Sequence, residues 1–403
     1  PNAWTHTFDG GLLTAGSQLL ERAFHTMMRH LAVWLVFSSI ACHFCIAYQQ
    51  AFLENQLPLK VLVVTPSELG GDAAGPDHAA RQTRYRSLCP GGCMMKYSDA
   101  LIGWLKASGF THCYFVAGGN IMHLLNSARQ ALICVPVVHE VAATIATEYH
   151  NAMVQAGTAA PGTGKAFALV TAGPGLTNTL TGLAGAWLES RELLLLGGQV
   201  KVEDLAPPDL RQLGIQELDG VAMAAPVCKR SLCLREPLPA DAVLAEVAES
   251  WSGRRGPVFL ELPLDVQAMH VPAAWGEEGN LTSSRIQRKI PAPDPQDVEQ
   301  VAARFRAAER PLLLLGGGLS HRQARALEQQ LVALDLPIMT TWNGADRYAS
   351  EHSNYAGRPN TWGQRSSNII MQQADLVLAI GSRLGLQQTG FNWQQFVPLG
   401  DVI

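Results

Sequence analysis

Charged residues are few in this sequence of 403 residues: Asp, Glu, Lys and Arg together make up 16%, and the formal net charge is −4. This charge provides no basic field for binding nucleic acid and excludes histone-like proteins. The eight cysteines are spread out, and only Cys42 with Cys45 and Cys89 with Cys93 are closely spaced. A disulfide framework is therefore excluded, and reduced thiols are expected. The hydrophobic content of 47% instead predicts a globular protein of about two or three domains.

Residues 1–94 form an atypical N-terminal extension. Within it, residues 31–48 contain no Asp, Glu, Lys or Arg and follow Arg29 and His30, which is the layout of a targeting or membrane segment. Because this stretch also contains two serines and a histidine, a buried helix or a weakly selected leader is the other interpretation. Localisation is cytoplasmic under the second interpretation, and organellar or at a membrane under the first. Residues 70–90 are rich in Gly, Pro and small polar residues, which predicts a linker.

From residue 95 onward, short apolar runs alternate with amphipathic stretches. Runs of four to eight apolar residues without alternation are typical of parallel strands that are covered on both faces. We predict strands at residues 113–116, 134–138, 166–171, 193–196 and 258–262, and helices at 120–130, 141–156, 176–187 and 240–251. A polar, proline-containing linker at 276–295 separates this domain, 95–275, from a second one at 296–403. The fold class is α/β, with two doubly wound parallel-sheet domains, of which the second is expected to be truncated.

Two glycine turns follow predicted strands, and a carboxylate follows a third. Gly118, Gly119 and Asn120 form the first turn, and Gly173, Pro174 and Gly175 form the second. Such turns let a ligand approach the backbone, although ordinary tight turns have the same composition. Glu140 opens a predicted helix, where it either stabilises the helix N-terminus or holds and passes a proton. The carboxyl ends of neighbouring parallel strands meet at one edge of a sheet, where α/β proteins bind ligands.

Five motifs follow one another along the chain: 138–140 (VHE), 170–178 (VTAGPGLTN), 197–200 (GGQV), 214–217 (GIQE) and 256–267 (GPVFLELPLDVQ). This series resembles the large catalytic subunit of acetolactate synthase and related thiamine diphosphate enzymes. The resemblance covers residues 95–403, and it identifies 95–275 as similar to the pyrimidine-binding domain and 296–403 as similar to part of the central, Rossmann-like domain.

The resemblance implies roles for individual residues. Glu140 matches the family's glutamate that hydrogen-bonds the aminopyrimidine ring of thiamine diphosphate and activates the cofactor. Gln199 matches a glutamine that faces the reaction centre, so both residues are predicted to be catalytic. The sequence 216–217 matches a loop near the active site, with helix capping as the alternative role. The residues that match cofactor-binding positions in this domain are Gly118, Gly119, Asn120, Gly173, Pro174, Gly175 and Asn178.

The second domain matches a region that binds FAD in the synthases. The matching positions are Gly316, Gly317, Gly318, Gly363, Gly381, Ser382 and Arg383. However, Leu384-Gly385-Leu386 replaces the family's acidic pair, and Thr361-Trp362 replaces its Met-His. Other relatives keep this domain without a flavin, so the sequence leaves FAD binding open.

In the family, Mg²⁺ and the diphosphate bind in a third domain through a Gly-Asp-Gly motif, which this sequence lacks. No metal ligands are therefore assigned here, and we expect a fragment or a partner chain that supplies this domain. The implied function is a transferase or lyase reaction, as in branched-chain amino acid biosynthesis: decarboxylation of a 2-keto acid such as pyruvate, then ligation to a second keto acid. A homodimer or tetramer is implied, and no nucleic acid partner is expected. The alternatives are a non-catalytic or split-enzyme subunit, and a relative that makes a specialised metabolite.

Overall fold

The computed structural model describes residues 94–277 and 292–403. The N-terminal extension, including the apolar stretch 31–48, and most of the predicted linker lie outside these residues. None of the helices in the two described ranges is long and apolar enough to cross a membrane.

The strands, in chain order, are β1 (Met94–Lys96), β2 (Phe110–Phe115), β3 (Ile133–Pro136), β4 (Lys165–Val170), β5 (Leu193–Gln199), β6 (Arg230–Cys233), β7 (Pro257–Pro263), β8 (His270–Pro272), β9 (Pro311–Leu315), β10 (Ile338–Thr340), β11 (Leu376–Ile380) and β12 (Asp401–Val402). The helices are α1 (Tyr97–Ala107), α2 (Met122–Ala131), α3 (Glu140–Ala156), α4 (Pro174–Thr177), α5 (Leu180–Leu188), α6 (Gly220–Ala224), α7 (Ala240–Ala248), α8 (Leu264–Ala268), α9 (Ala274–Glu277), α10 (Pro295–Ala307), α11 (His321–Ala333) and α12 (Arg365–Gln373).

The first half of the described chain is built on a six-stranded sheet in the order β3-β2-β4-β5-β7-β6, in which every neighbouring pair is parallel. All residues of β5 and β7 are buried, and so are five of the six residues of β4. Helices cover both faces of these strands, which is why they are apolar without alternation. The prediction of a parallel α/β fold is confirmed.

The second half is built on a four-stranded parallel sheet in the order β10-β9-β11-β12. Leu312 and Leu314 of β9 pack on one face of this sheet, and Leu313 and Leu315 pack on the other. At the end of the described chain, Asp401–Val402 pairs with β11 in parallel. The second parallel sheet predicted from the sequence is therefore present.

The structure differs from the sequence-based expectations in the division of one helix and in strands that were not predicted. The predicted helix 176–187 is divided into α4 and α5, because Thr179 donates from both its amide and its hydroxyl to the carbonyl of Leu176 and closes a tight turn. In addition, β1 and β8 form a separate antiparallel ribbon that the sequence analysis missed. Such a pairing joins segments far apart in the chain and has no local sequence signal.

Helices α3 and α5 approach each other closely at Gly182. A Cβ atom on Gly182 would lie 2.6 Å from Cβ of Thr144, a fully buried residue of α3. One turn further along α5, a Cβ on Gly185 would meet no atom within 4 Å. The two glycines therefore play different roles, although both lie inside the same helix.

We expect Gly182→Ala to lower the free energy of unfolding by about 1 to 3 kcal/mol, because the added methyl group forces the two helices apart. Gly185→Ala is the matched control and should raise it by about 0.5 to 1 kcal/mol, since alanine favours a helix more than glycine does. Urea unfolding of the full chain measures both values. Equal effects of the two substitutions would contradict the close approach at Gly182.

Candidate functional site

The turns that carry the predicted site residues all lie at the carboxyl edge of the six-stranded sheet. Gly118 to Asn120 follow β2, Glu140 follows β3, Gly173 to Asn178 follow β4, and Gln199 ends β5. Because these strands are parallel neighbours, their carboxyl ends point to the same side. The sheet therefore brings residues from four separate segments to one edge.

Glu140 is the first residue of α3, and its carboxylate is nearly enclosed, with 12% of the side chain exposed. Asn178 donates from Nδ2 to Oε2 of Glu140 at 2.9 Å. His139 caps the same helix by accepting from the amide of Val141, and its Nδ1 lies 4.0 Å from Oε2. No residue within the described ranges donates a hydrogen bond to the other oxygen, Oε1. The structure thus fixes one carboxylate oxygen and leaves the other available to a ligand.

Thr171 fills the space between the two predicted glycine turns. Cβ atoms on Gly118 and Gly175 would lie 2.6 and 2.9 Å from Cγ2 of Thr171, so only glycine fits at both positions. Asn120 donates from its backbone amide to Oγ1 of Thr171 at 3.3 Å. Gly175 also borders the carboxylate, since its Cβ position lies 3.6 Å from Oε1 of Glu140. The glycine turns are therefore packed on each other and beside the available oxygen. Gly119 contributes no such contact, because a Cβ on it would meet no atom within 4 Å.

Gly173 adopts a left-handed backbone conformation, with φ of 64°. A side chain there would also collide with Gln216, whose Cβ would lie 2.9 Å away. Pro174 is the first residue of α4, where its missing amide hydrogen costs no hydrogen bond. The loop that contains Gln216 therefore lies directly against the turn after β4, in agreement with its predicted location near the site.

Glu217 organises that loop. Its carboxylate accepts hydrogen bonds from the backbone amides of Ala206, Leu213 and Gly214, at 2.6, 3.0 and 2.9 Å. Burial alone would raise its pKa, but the three backbone donors outweigh burial and lower it. The capping role considered for this segment belongs instead to Asp219, which accepts from the amide of Ala222 at the start of α6.

Gln199 lies at the same sheet edge but belongs to a different cluster from Glu140. Its side-chain nitrogen donates to the carbonyl of Leu218 and to Oε1 of Glu261, both at 3.0 Å, and its oxygen accepts from the amide of Val200. The side chain is only 2% exposed. All of its polar atoms are thus engaged inside the protein, and its catalytic role stays a prediction.

Glu261 is a buried carboxylate that the sequence analysis did not select. Burial in β7 raises its pKa to about 7, aided by the negative charge of Asp219. The thiol of Cys233 and the amide of Gln199 act in the opposite direction by hydrogen bonding to it. The sequence feature that could have identified this buried carboxylate is the single Glu within the apolar run 257–263. A carboxylate in such a run must be fully buried when its strand lies inside a sheet.

The glycines predicted to contact a flavin pack against the protein's own backbone. Cβ atoms on Gly316 and Gly318 would lie 2.7 Å from the Ser382 nitrogen and the Gly381 oxygen, so the turns after β9 and β11 are in contact. A Cβ on Gly317 would lie 2.7 Å from the Asn343 oxygen. These contacts explain the glycines without a ligand.

The remaining predicted flavin positions lie close by. A Cβ on Gly363 would lie 2.5 Å from the amide nitrogen of Asn360, in a turn that Asn368 braces through two hydrogen bonds of 3.0 Å. Ser382 accepts from the amide of Leu384 at 3.1 Å, and Arg383 is exposed. Beside these turns, Trp342 and Trp362 stack with ring centroids 5.8 Å apart and are 49% and 60% exposed.

No group of three or more His, Cys, Asp or Glu residues that could hold a metal ion occurs in residues 94–277 or 292–403.

Comparisons with known proteins agree with this geometry. Two family models match the chain: the N-terminal TPP binding domain of thiamine pyrophosphate enzymes over residues 95–223, and their central domain over 298–403. The acetolactate synthase isozyme 2 large subunit of Escherichia coli is 30% identical over 306 residues, which are 74% of this chain and 51% of that protein. The isozyme 1 large subunit of the same organism is 28% identical over 307 residues, 76% of this chain and 51% of that protein.

A third relative, the acetolactate synthase large subunit of Corynebacterium glutamicum, is 31% identical over 240 residues, which are 58% of this chain and 36% of that protein. The chain thus spans about half the length, or less, of the curated relatives it matches.

The pH dependence of stability tests the environment of Glu261. Its pKa is raised from 4.5 to about 7 in the folded protein, so the folded state binds more protons than the unfolded state between these values. The stability that Glu261 contributes is therefore lost as the pH rises through this range. We expect Glu261→Gln, which keeps the shape of the side chain, to remove that loss.

Urea unfolding at about pH 5 and about pH 8 measures the effect. At each pH, the free energy of unfolding of the wild type is subtracted from that of Glu261→Gln. This difference should rise by up to about 3 kcal/mol from the lower to the higher pH. Glu203→Gln, in which the replaced carboxylate lies on the surface beside Lys201, is the control and should behave as the wild type. A difference between Glu261→Gln and wild type that is the same at both pH values would show that Glu261 does not titrate in this range.

Proposed function

We propose that this chain, which belongs to the thiamine pyrophosphate enzyme family, acts on 2-keto acids in the manner of acetolactate synthase. In this reaction a 2-keto acid such as pyruvate loses CO₂, and the remaining two-carbon unit is joined to a second keto acid, which makes the activity that of a transferase or lyase. The observation that carries the proposal is the carboxylate of Glu140, held by Asn178 beside the glycine turns at the sheet edge.

The residues at this edge fit the pyrimidine end of thiamine diphosphate. Glu140 offers one oxygen, Oε1, that no described residue occupies, and Gly175 leaves the space beside that oxygen open. A side chain at position 175 would enter this space. When bound, thiamine diphosphate supplies the carbon nucleophile that takes up the keto acid.

The chain's own residues supply orientation and one proton relay. Glu140 would hold the aminopyrimidine through Oε1 and would take up and return a proton at that atom. Asn178 prevents the carboxylate from rotating because it binds Oε2, and Glu140 is held in place as the first residue of α3. The low exposure of the side chain excludes bulk water from the transfer.

The diphosphate and Mg²⁺ are proposed to bind to a third domain, located either in the same polypeptide or in a partner chain. This follows from the resemblance to the synthases, in which the active site lies between domains of two subunits. A homodimer or tetramer, or a complex with a partner chain, is therefore part of the proposal.

A non-catalytic subunit is the second candidate function. The observation that favours it is the internal bonding of Gln199, whose amide is directed to Glu261 and Leu218 rather than to Glu140. Such a subunit would keep the two parallel sheets for assembly with a partner and would have no turnover of its own. A relative that makes a specialised metabolite would differ from both candidates by turning over a keto acid other than pyruvate.

Calorimetric titration of the full chain with thiamine diphosphate and Mg²⁺, with pyruvate consumption followed in the same sample, separates the two candidates. Binding with turnover supports the synthase-like reaction. Binding without turnover supports the non-catalytic subunit, whereas the absence of binding indicates that the third domain has to be supplied by further sequence or by a partner chain. In the active protein, Glu140→Gln should lower turnover by at least about a hundredfold, because the positioned proton-transfer group is lost.

Glu148→Gln is the matched control for that substitution. Glu148 lies two turns further along α3, where it pairs with Arg191 at 3.5 Å, away from the glycine turns. Its replacement should leave turnover within about twofold of the wild type, as a partly exposed ion pair contributes little. Near-normal turnover by Glu140→Gln would refute the assignment of Glu140.

FAD is proposed as a ligand of the second sheet domain. The observation that favours it is the exposed stack of Trp342 and Trp362, which stands beside the turns at Gly317 and Gly363 and offers a flat surface to an aromatic ring. We expect the chain to retain the yellow absorbance of FAD after gel filtration. Trp362→Ala should weaken binding about tenfold through loss of a stacking contact.

The control for this experiment is Trp393→Ala, since Trp393 is 71% exposed and is not part of the stack. This variant should bind FAD as the wild type does. Elution of all the yellow absorbance with the small molecules would rule out the flavin site.

A further inference from the structure

Two cysteines stand side by side on neighbouring strands of the six-stranded sheet. Cys113 of β2 is the register partner of Cys134 of β3, and the two strands are parallel. Register partners on adjacent strands point to the same face of the sheet, and the strands lie about 4.8 Å apart. This separation falls within the range of Cα distances, about 4.4 to 6.8 Å, that a disulfide can bridge.

The direct register places the two thiols next to each other on one face of the sheet. Cys113 is completely buried, whereas Cys134 is only half-buried and can be reached from solvent. Strand β3 is the outermost strand of the sheet. A strand that is paired on one side only can adjust its position more readily than a strand paired on both sides, and rotation of the side chains can then bring the two sulfur atoms into bonding distance.

The environments of the two thiols differ in a way that suits an exchange reaction. The neighbouring thiol of Cys113 lowers the pKa of Cys134 despite partial burial, and the positive charge of Arg129 acts in the same direction. Burial raises the pKa of Cys113. Cys134 is therefore the better nucleophile and Cys113 is its protonated neighbour.

We propose that Cys113 and Cys134 form a reversible dithiol–disulfide pair whose oxidant is a hydroperoxide. The proposal rests on the direct register of the two residues on adjacent strands and on the access of solvent to one of them. It concerns neither Glu140 nor the glycine turns and does not depend on the proposed function.

The chemistry proceeds in two balanced steps. The thiolate of Cys134 attacks the outer oxygen of the hydroperoxide, the O–O bond breaks, and Cys134 becomes a sulfenic acid. The leaving oxygen takes up the proton that the thiol of Cys134 had released and departs as an alcohol, or as water from hydrogen peroxide. The sulfur of Cys113 then attacks the sulfur of Cys134. The S–S bond forms as the S–O bond breaks, and the proton of Cys113 leaves with the hydroxyl group as water. The two thiols lose two electrons and the peroxide gains them, and a dithiol reductant reverses the change.

Two other cysteines serve as internal references. Burial raises the pKa of both Cys228 and Cys233 to about 12, and each stays a protonated thiol at neutral pH. Cys233 lies beside Glu261 rather than beside another thiol. These residues should therefore resist the oxidant that reacts at Cys134.

The test is treatment of the reduced full chain with an equimolar amount of hydrogen peroxide, followed by denaturation, alkylation and peptide mapping by mass spectrometry. We expect the peptides that contain Cys113 and Cys134 to be joined, with a loss of about 2 Da from the two thiol hydrogens. The peptides with Cys228 and Cys233 should be alkylated, and dithiothreitol should restore alkylation at the joined pair.

Variants of each cysteine separate a disulfide from simple oxidation. Cys113→Ser should leave Cys134 as a sulfenic acid that dimedone traps, whereas Cys134→Ser should leave Cys113 fully alkylatable. Cys228→Ser is the control and should still form the linked peptide. Alkylation of both Cys113 and Cys134 in the treated wild type would overturn the proposal. Sulfinic acid at Cys134 with a free Cys113 would also overturn it.

Discussion

The side chain of Thr171 sets the geometry on which the candidate site depends. It occupies the space between the turn after β2 and the turn after β4, and it accepts a hydrogen bond from the backbone of Asn120. Both turns must carry glycine where they meet it, because Cβ atoms at Gly118 and Gly175 would lie within 3 Å of its methyl group. The same close packing extends to β5, since a Cβ on Gly198 would lie 2.7 Å from Cγ2 of Ile121. The backbones of three strand ends are thus drawn together at one edge, and this contact leaves the space beside Glu140 without side chains.

This arrangement explains how the structure maintains a carboxylate in a nearly enclosed position. A buried charge is costly unless hydrogen bonds and local dipoles compensate for the lost water. Glu140 receives the amide of Asn178 and lies at the N-terminus of α3, where the free amides carry partial positive charge. Glu261 is a second buried carboxylate of the same domain. It lies inside β7, with Oε1 2.7 Å from the Cβ position of Gly220 at the start of α6, and burial keeps it partly protonated near neutral pH. The two carboxylates thus have different neighbours: the amide of Asn178 at Glu140, and Cys233, Asp219 and Gln199 at Glu261.

Much of the fold could be predicted from the sequence, because β4, β5 and β7 are buried on both faces and must be apolar throughout. The strand β6 was missed, since its residues 230–233 include two polar side chains and half-exposed positions at the sheet edge. The site residues also fall into two groups: those recognised from a local motif and those whose contacts join distant parts of the sequence. The motif around Glu140 and Asn178 is local and was recognised, and the structure brings the two residues together. The role of Glu217 depends on three amides up to eleven residues away, and the bonding of Gln199 depends on Glu261, which is 62 residues away. Such contacts leave no periodic pattern.

Glycine turns occur at the carboxyl edges of both sheets, but not all of them indicate a bound ligand. In the second sheet, Gly316 and Gly318 are required because the turn after β9 rests on the backbone of Gly381. The protein itself fills the space that the missing side chains would have occupied. In the first sheet, Gly118 rests on Thr171 in the same way, whereas Gly175 also borders Oε1 of Glu140, an oxygen that receives no hydrogen bond from the part of the chain the structure describes. A glycine turn therefore points to a ligand only when a polar atom beside it lacks a partner. By this criterion the turn beside Glu140 points to a ligand, and the turn after β9 does not.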